Sequence, residues 1–345
     1  MLAYDIPNSK NFCGGNFQDW LEVNLIDTCN ARCSWCIERG GYHPEYHAPV
    51  EEIARVAIGT GKTNIILLGG EPLLYKQMKE LVRLLAYANR KVWITTNGFL
   101  LTSKYVMDNL IPVTGVNISI HHFNMENNKQ VTKVMIDEHK LREAINALHF
   151  IHANVRMNCN VISGQIDTPE KIISYVKWAK NILADKIRFA ELKQDDEGFV
   201  DLAAILNHKY GLNDNPFTHG CNSDCVIEGV PVNFRQMCGL QTSRRTAPLN
   251  PKQYAKEVLY YDGKLYDGWQ TMKKENKEMG NNEVINILET IRKANFTDDE
   301  LQSLKEFLSK LLFDKASRGD YFVEKPSHSN SADFGHATTS GGCQY

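Results

Sequence analysis

Residues 115–121 read Gly-Val-Asn-Ile-Ser-Ile-His, and residues 154–162 read Asn-Val-Arg-Met-Asn-Cys-Asn-Val-Ile. Both carry the two-residue period of a β-strand. Val116, Ile118 and Ile120 alternate with Asn117, Ser119 and His121. Val155, Met157, Cys159 and Val161 alternate with Arg156, Asn158, Asn160 and Ile162. Successive strand side chains point to opposite faces, so each strand puts its polar set on one side. Four more β-rich runs flank these two: LEVNLI (21–26), NIILL (64–68), KVWITT (91–96) and KIRFAEL (186–192). Helical stretches separate them. PVEEIARVAI begins with proline and two early glutamates, as a helix start prefers. KQMKELVRLLAYA and EHKLREAINALHFIHA repeat apolar residues at helical spacing. TPEKIISYVKWAKNIL opens with Thr168 as N-cap and Pro169 in the first turn. Strands alternating with helices predict βα units around a parallel sheet. A flat doubly wound sheet is covered on both faces and reads apolar throughout. The polar strand faces predict an α/β barrel or half-barrel with a ligand-filled interior instead.

The chain has 345 residues, a formal net charge of −2, 43% hydrophobic residues and 23% charged ones. Such a composition is that of a soluble globular protein with two domains, or one with additions. The charge balance gives no support to a broad nucleic-acid or membrane-surface polycation. The longest aliphatic run, Ile65 to Leu68, is far short of the ~18–20 residues of a spanning helix. The N-terminus lacks a basic start followed by an apolar run, so a cytoplasmic protein without a secretory signal is expected. Cytosolic thiols stay reduced. The nine cysteines therefore need an explanation other than disulfides: Cys13, Cys29, Cys33, Cys36, Cys159, Cys221, Cys225, Cys238 and Cys343. Cys159, in the apolar set of its strand, reads as a core thiol.

The chain divides on this reading into an N-terminal segment (1–20), a barrel (21–195), a cysteine-bearing region (196–273), a helical extension (274–316) and a polar tail (317–345). Within the third, VDLAAILNHKYGL predicts a short helix, and a loop region with Cys221, Cys225 and Cys238 follows. VLYYDGKLYDGW (258–269) predicts a β-hairpin turning at Asp262-Gly263. Thr297 and Glu300 make a capping-box start for the second of two helices in the extension.

Cys29-Asn-Ala-Arg-Cys33-Ser-Trp-Cys36 has C-x3-C-x2-C spacing directly after the first strand. Three thiolates on one loop can grip three irons of a cubic cluster and leave the fourth open. Structural zinc is the competing reading, but it normally takes four ligands and C-x2-C pairs. The second strand runs into Gly69-Gly70-Glu71-Pro72. Glycines there would let a ligand approach the backbone, and the carboxylate could accept from an ammonium group. A plain turn is the competing reading. The third strand ends in Thr95-Thr96-Asn97-Gly98. These groups would gather at the C-terminal end of the sheet, where α/β ligands bind.

Over roughly residues 20–195 the chain resembles the radical SAM superfamily. The resemblance rests on C-x3-C-x-aromatic-C with Trp35 in the aromatic slot, the Gly-Gly-Glu element and six βα units in order. It implies a partial (β/α)6 TIM-like barrel. It implies a [4Fe-4S] cluster on Cys29, Cys33 and Cys36, with S-adenosylmethionine chelated at the open iron. The strip at Gly69, Gly70, Glu71 and Pro72 would hold the ammonium, and Trp35 would lie beside the adenine. Thr96, Asn97, Ser119 or Asn160 would bind the ribose. Reductive cleavage would give a 5′-deoxyadenosyl radical that takes hydrogen from a substrate. A flavodoxin- or ferredoxin-type reductant is the implied partner.

Cys221, Cys225 and Cys238 form a second group with C-x3-C-x12-C spacing, preceded by His219. In such a chain a second, auxiliary [4Fe-4S] cluster is expected, with a zinc loop or scattered thiols as the competing reading. The group is similar to that of the GTP cyclase family of molybdenum-cofactor biosynthesis, and the hairpin resembles the twitch half-domain of auxiliary-cluster enzymes. Yet the spacing differs, and a Gly-Gly pair at 341–342 is followed by three more residues. The cyclase reaction itself is therefore not expected. Arg235, Arg244 and Arg245 suit an anionic substrate, or form a solvated basic loop. His121 and Cys343 are further candidates near a substrate; Cys343 reads equally as a tail thiol.

The leading function is thus a radical SAM enzyme with an auxiliary cluster, acting on a small anionic or nucleotide-like substrate. A peptide-modifying maturase is the first alternative; the short stretch ahead of Cys29 is expected to be too small for a recognition module, which lowers this alternative without removing it. RNA-base modification is the second. A non-enzymatic iron–sulfur or zinc scaffold is the reading from another class.

Overall fold

A computed structural model describes residues 19–36, 38, 43–192, 197–210, 222–236, 257–266 and 268–269. The expectations for Cys13, His219, Cys221, Cys238, Arg244, Arg245, Cys343, the extension and the tail lie outside these residues. All described residues fall in the first of the two units into which the chain divides.

The six expected strands are β1 (Trp20–Asn24), β2 (Asn64–Leu68), β3 (Lys91–Thr96), β4 (Gly115–Ser119), β5 (Asn154–Val161) and β6 (Lys186–Glu191). They pair in chain order, each parallel to the next. Between them run α1 (Val50–Gly59), α2 (Met78–Tyr87), α3 (Ser103–Asn109), α4 (Met125–Thr132), α5 (Glu138–Phe150) and α6 (Pro169–Asn181). Thr168 caps α6 as expected, its Oγ1 accepting from Lys171 N at 3.3 Å. The short helices α3 and α4 are not announced by periodicity. Side-chain caps start them, Thr102 accepting from Tyr105 N and Asn124 from Asn127 N.

Beyond β6, α7 (Leu202–Tyr210) forms where a short helix is expected. Residues 222–235, expected as part of a loop region, are not a loop. β7 (Asn222–Ile227) and β8 (Val230–Arg235) form an antiparallel hairpin. Its turn residues Glu228 and Gly229 have φ of 52° and 80°, the geometry that fits strand twist. Glu-Gly is a weak turn signal and Pro231 argues against a strand, which hid the hairpin. The other hairpin, β9 (Val258–Tyr260) and β10 (Leu265–Tyr266), forms as expected around Asp262-Gly263. β8 pairs parallel with β6, and β9 pairs parallel with β1. The result is one ten-stranded sheet, in the order β10-β9-β1-β2-β3-β4-β5-β6-β8-β7. It is a six-unit partial barrel extended by a hairpin at each edge.

One face of the sheet makes the main core. Val23, Leu67, Ile94, Ile118, Met157 and Phe189 pack there with helix residues such as Leu81, Ile145 and Tyr175. Cys159 is fully buried among them, the core thiol expected. Alternation puts Asn24, Leu68, Thr95, Asn117, Asn158 and Arg188 on the opposite, concave face. No helix among the described residues is long and apolar enough to cross a membrane.

Candidate active site

The loop after β1 carries Cys29, exposed, and Cys33 and Cys36, both half-buried. Three neighbours fix it. Beneath it, Gly70 N donates to Ile26 O (2.6 Å) and Glu71 N to Thr28 O (2.9 Å). A Cβ on Gly70 would stand 2.3 Å from Thr28 O, and one on Gly69 2.5 Å from Asn24 Oδ1 and Ile26 O. The two glycines therefore serve the approach of the cysteine loop itself. Glu71 is likewise engaged within the protein. Its buried carboxylate accepts from Thr96 Oγ1 (2.6 Å), Asn97 N (2.8 Å) and Leu73 N (3.0 Å). Burial pushes its pKa up to about 7 against the pull of these donors. Pro72 opens the short turn that Glu71 caps. Thr96 is thereby a brace at the end of β3.

Asn97 makes the second support. Its Nδ2 donates to Asn30 Oδ1 at 2.7 Å and lies 3.9 Å from Cys29 Sγ. The third comes from α4: Arg32 N donates to Thr132 O at 2.8 Å, and Val131 packs beside Cys33 and Trp35.

Trp35 is buried with Ile162 and Leu192 and meets His121 edge to face, ring centroids 5.1 Å apart. His121 Nδ1 accepts from Asn160 N at 3.0 Å, so the neutral ring carries its proton on Nε2. Burial pulls its pKa down to about 4. Ser119 is half-buried at the end of β4.

Sequence reasoning missed three groups here. Glu38 is buried, accepts from Asn24 Nδ2 at 3.0 Å, and is pushed up to about 7 by burial. No local signal marks it. Arg156 and Arg188 belong to the polar sets of β5 and β6, a signal that was visible. Arg156 Nε donates to Asn158 Oδ1 (3.1 Å) and Arg188 Nε to Asn233 Oδ1 (2.8 Å). Burial first, then neighbouring Arg235, lower the Arg156 pKa to about 9. Arg235, buried on β8, is the one member of the expected arginine group among the described residues. Cys225 sits opposite Val232 and packs on the main core, so its thiol faces away from these arginines. Burial and Asp224 push it up to about 12.

The donor set fits a cluster. A cubane takes each thiolate on a different iron, so soft thiols spread along one loop suit it better than zinc. Asn24 Oδ1 and Asn30 Nδ2 are buried without a hydrogen-bond partner, which suits a polar ligand beside the loop.

A partial βα barrel that braces a three-thiol loop over the mouth of a polar interior defines the class of iron–sulfur barrel enzymes. The model of the radical SAM superfamily matches residues 23–179, and together with enzyme-named relatives it supports an enzyme of the radical SAM class. The GTP 3',8-cyclase of Aquifex aeolicus is 22% identical over 255 residues, 71% of this chain and 72% of the relative. The S-adenosylmethionine-dependent nucleotide dehydratase of Lacinutrix mariniflava is 23% identical over 201 residues, 55% of this chain and 42% of the relative. The crystal structure of Streptococcus suis SuiB bound to precursor peptide SuiA matches with TM-score 0.53 at 16% identity, over 72% of this chain and 59% of SuiB. That likeness is one of fold. The chain spans less than two thirds of the dehydratase and of SuiB.

Proposed function

We propose that the protein reductively cleaves S-adenosylmethionine and abstracts a hydrogen atom from a small anionic, nucleotide-like substrate. The observation that carries this is the three-sided bracing of the Cys29–Cys36 loop by the Gly-Gly-Glu strip, Asn97 and α4. Cys29, Cys33 and Cys36 would hold a [4Fe-4S] cluster. When bound and reduced, that cluster supplies the electron that splits the sulfonium into methionine and a 5′-deoxyadenosyl radical. The main-chain carbonyls of Gly69 and Gly70 are the acceptors left for an ammonium, since the Glu71 carboxylate is engaged. Trp35, Ile162 and Leu192 offer an apolar wall for a purine, and Ser119 and Asn160 offer polar groups for a ribose. The barrel positions these ligands and excludes water.

The nucleotide-like substrate is supported by relatives named for GTP cyclisation and nucleotide dehydration, and by the arginines on the concave face. A second [4Fe-4S] cluster on Cys221, Cys225 and Cys238 belongs to the same reading. The Cys225 thiol faces the main core and not the arginines, which favours electron relay over substrate binding. A flavodoxin- or ferredoxin-type reductant in the cytoplasm completes the proposal. The test is formation of 5′-deoxyadenosine by reconstituted, reduced protein. Product is expected from the wild type and not from Cys29→Ala. No product under any low-potential reductant overturns the reading.

A further inference from the structure

Asn97 links the Gly-Gly-Glu strip to the cysteine loop. Its main-chain N donates to Glu71 Oε2 at 2.8 Å, and its Oδ1 accepts from Phe99 N at 3.0 Å. The second bond fixes which way the amide faces. Turned over, Asn97 would set its oxygen against Asn30 Oδ1 and its NH2 group against the Phe99 N–H, acceptor on acceptor and donor on donor. The NH2 side therefore faces the loop. There Nδ2 donates to Asn30 Oδ1 at 2.7 Å and stands 3.9 Å from Cys29 Sγ. Asn30 Oδ1 itself lies 4.0 Å from that sulfur. Asn97 thus does two things beside Cys29. It brings N–H groups toward the sulfur, and it engages a neighbouring acceptor whose negative end would otherwise face it. Ala31 N donates to the same sulfur at 3.3 Å, but as a main-chain group it stays in place whatever side chain is changed. Donors beside the thiolates of a cluster favour its more negative, reduced state and raise its potential.

We propose that Asn97 is a positioning residue that sets the reduction potential of the cluster through Cys29. This rests on the proposed [4Fe-4S] cluster on Cys29, Cys33 and Cys36. Reduction takes up one electron from the flavodoxin- or ferredoxin-type donor, and Asn97 neither gains nor loses a bond or a proton in it. Its amide stabilises the added negative charge where that charge reaches the Cys29 sulfur. The same amide keeps Asn30 turned to β3, so the sulfur meets donors on that side and not a carbonyl.

A redox titration of the reconstituted full chain tests this, with dithionite as reductant, no S-adenosylmethionine present, and the EPR signal of the reduced cluster as readout. Asn97→Asp keeps Oδ1 for Phe99 N and puts a carboxylate oxygen where the NH2 group stood. Its reduction constant is expected to fall about tenfold or more, a shift of about 59 mV for one electron. Asn97→Ala should move it the same way by less. Asn181→Asp, exposed at the end of α6, adds the same charge at the other end of the barrel and should change nothing. Iron content and melting temperature are read alongside, since a residue that only supports the loop would move these and leave the potential where it was. If Asn97→Asp does not keep its cluster, Asn97→Ala carries the test; loss of the cluster from both makes Asn97 structural only and overturns the inference. Potentials equal to that of the wild type, or a rise in either variant, also overturn it. A wild type that assembles no cluster removes the proposed function and this inference together. A lowered potential in a protein that forms no 5′-deoxyadenosine removes the proposed reaction and keeps the role of Asn97. Formation of 5′-deoxyadenosine with unmoved potentials removes that role alone.

Discussion

The two halves of the concave face are built by the same alternation and finished in opposite ways. From β9 through β1 to β3, the inward side chains include Val258, Tyr260, Ile66, Leu68 and Trp93. Trp20, Tyr266 and Trp269 join them in one aromatic cluster. Gly115 makes room for it, since a Cβ there would stand 2.3 Å from the Trp93 ring. Trp269 Nε1 donates to the Glu22 carboxylate at 2.5 Å, so even the acid on β1 is drawn into the plug. From β4 to β8 the inward residues include Asn117, Arg156, Asn158, Asn160, Arg188, Asn233 and Arg235. A half-barrel has an interior that its own sheet does not fill. Here side chains close one half of it as a second core, and the polar remainder is left for a ligand. Below the barrel mouth, packing and the polar interior thereby fall to different strands of one sheet.

The largest expected effect tests the packed half. Trp269→Ala removes a buried indole and leaves Glu22 without that donor. A loss of about 3–5 kcal/mol is expected, as for large aromatic truncations in cores, read from urea unfolding. Phosphate affinity of the folded fraction should stay where it was. If affinity falls along with stability, the two halves are coupled and the division fails.

Much of this division was readable beforehand. The six barrel strands fall within a residue or two of the runs that mark them, because each keeps its period between clear helix starts. Asn117, Asn158, Asn160 and Arg156 could be assigned to a polar face for the same reason. What depends on distant approach could not be read. The role of Gly69 and Gly70 follows from contact with Ile26 and Thr28, more than forty residues earlier. Thr96 and Glu71 look like ligand groups in isolation and turn out to satisfy each other. Arg235 becomes the neighbour of Arg156 only because a hairpin hidden by Pro231 and a Glu-Gly turn adds β8 to the sheet. The aromatic plug needed the hairpin at the other edge to join β1, which no local pattern announces.

His121 gives the next effect, at the top of the polar half. In the unfolded chain its pKa is near 6.5, and in the folded protein burial holds it at about 4. The folded state therefore resists protonation. Its stability is whole above about pH 6.5 and is lost as pH falls toward about 4, by up to about 3 kcal/mol. His121→Asn should flatten that slope in urea midpoints measured across the range. A slope that survives the substitution would assign the acid sensitivity elsewhere and leave the polar half no less robust than the plug.

The smallest effect asks whether charge, rather than hydrogen bonding alone, sets the halves apart. Asp224 lies exposed on the edge strand β7, where its Oδ1 accepts from Asn233 Nδ2 at 2.8 Å, and Asn233 in turn accepts from Arg188. Asp224→Asn keeps an acceptor oxygen in that chain and removes one negative charge from the edge of the polar half. Stability should stay within about 0.5 kcal/mol, as for other surface changes. Phosphate affinity should rise by about twofold at low salt and return to the wild-type value as salt screens the rim. An affinity that does not move at low salt would mean that the polar half holds an anion by geometry alone. The polar half would then differ from the plug in shape and donors, and not in its field.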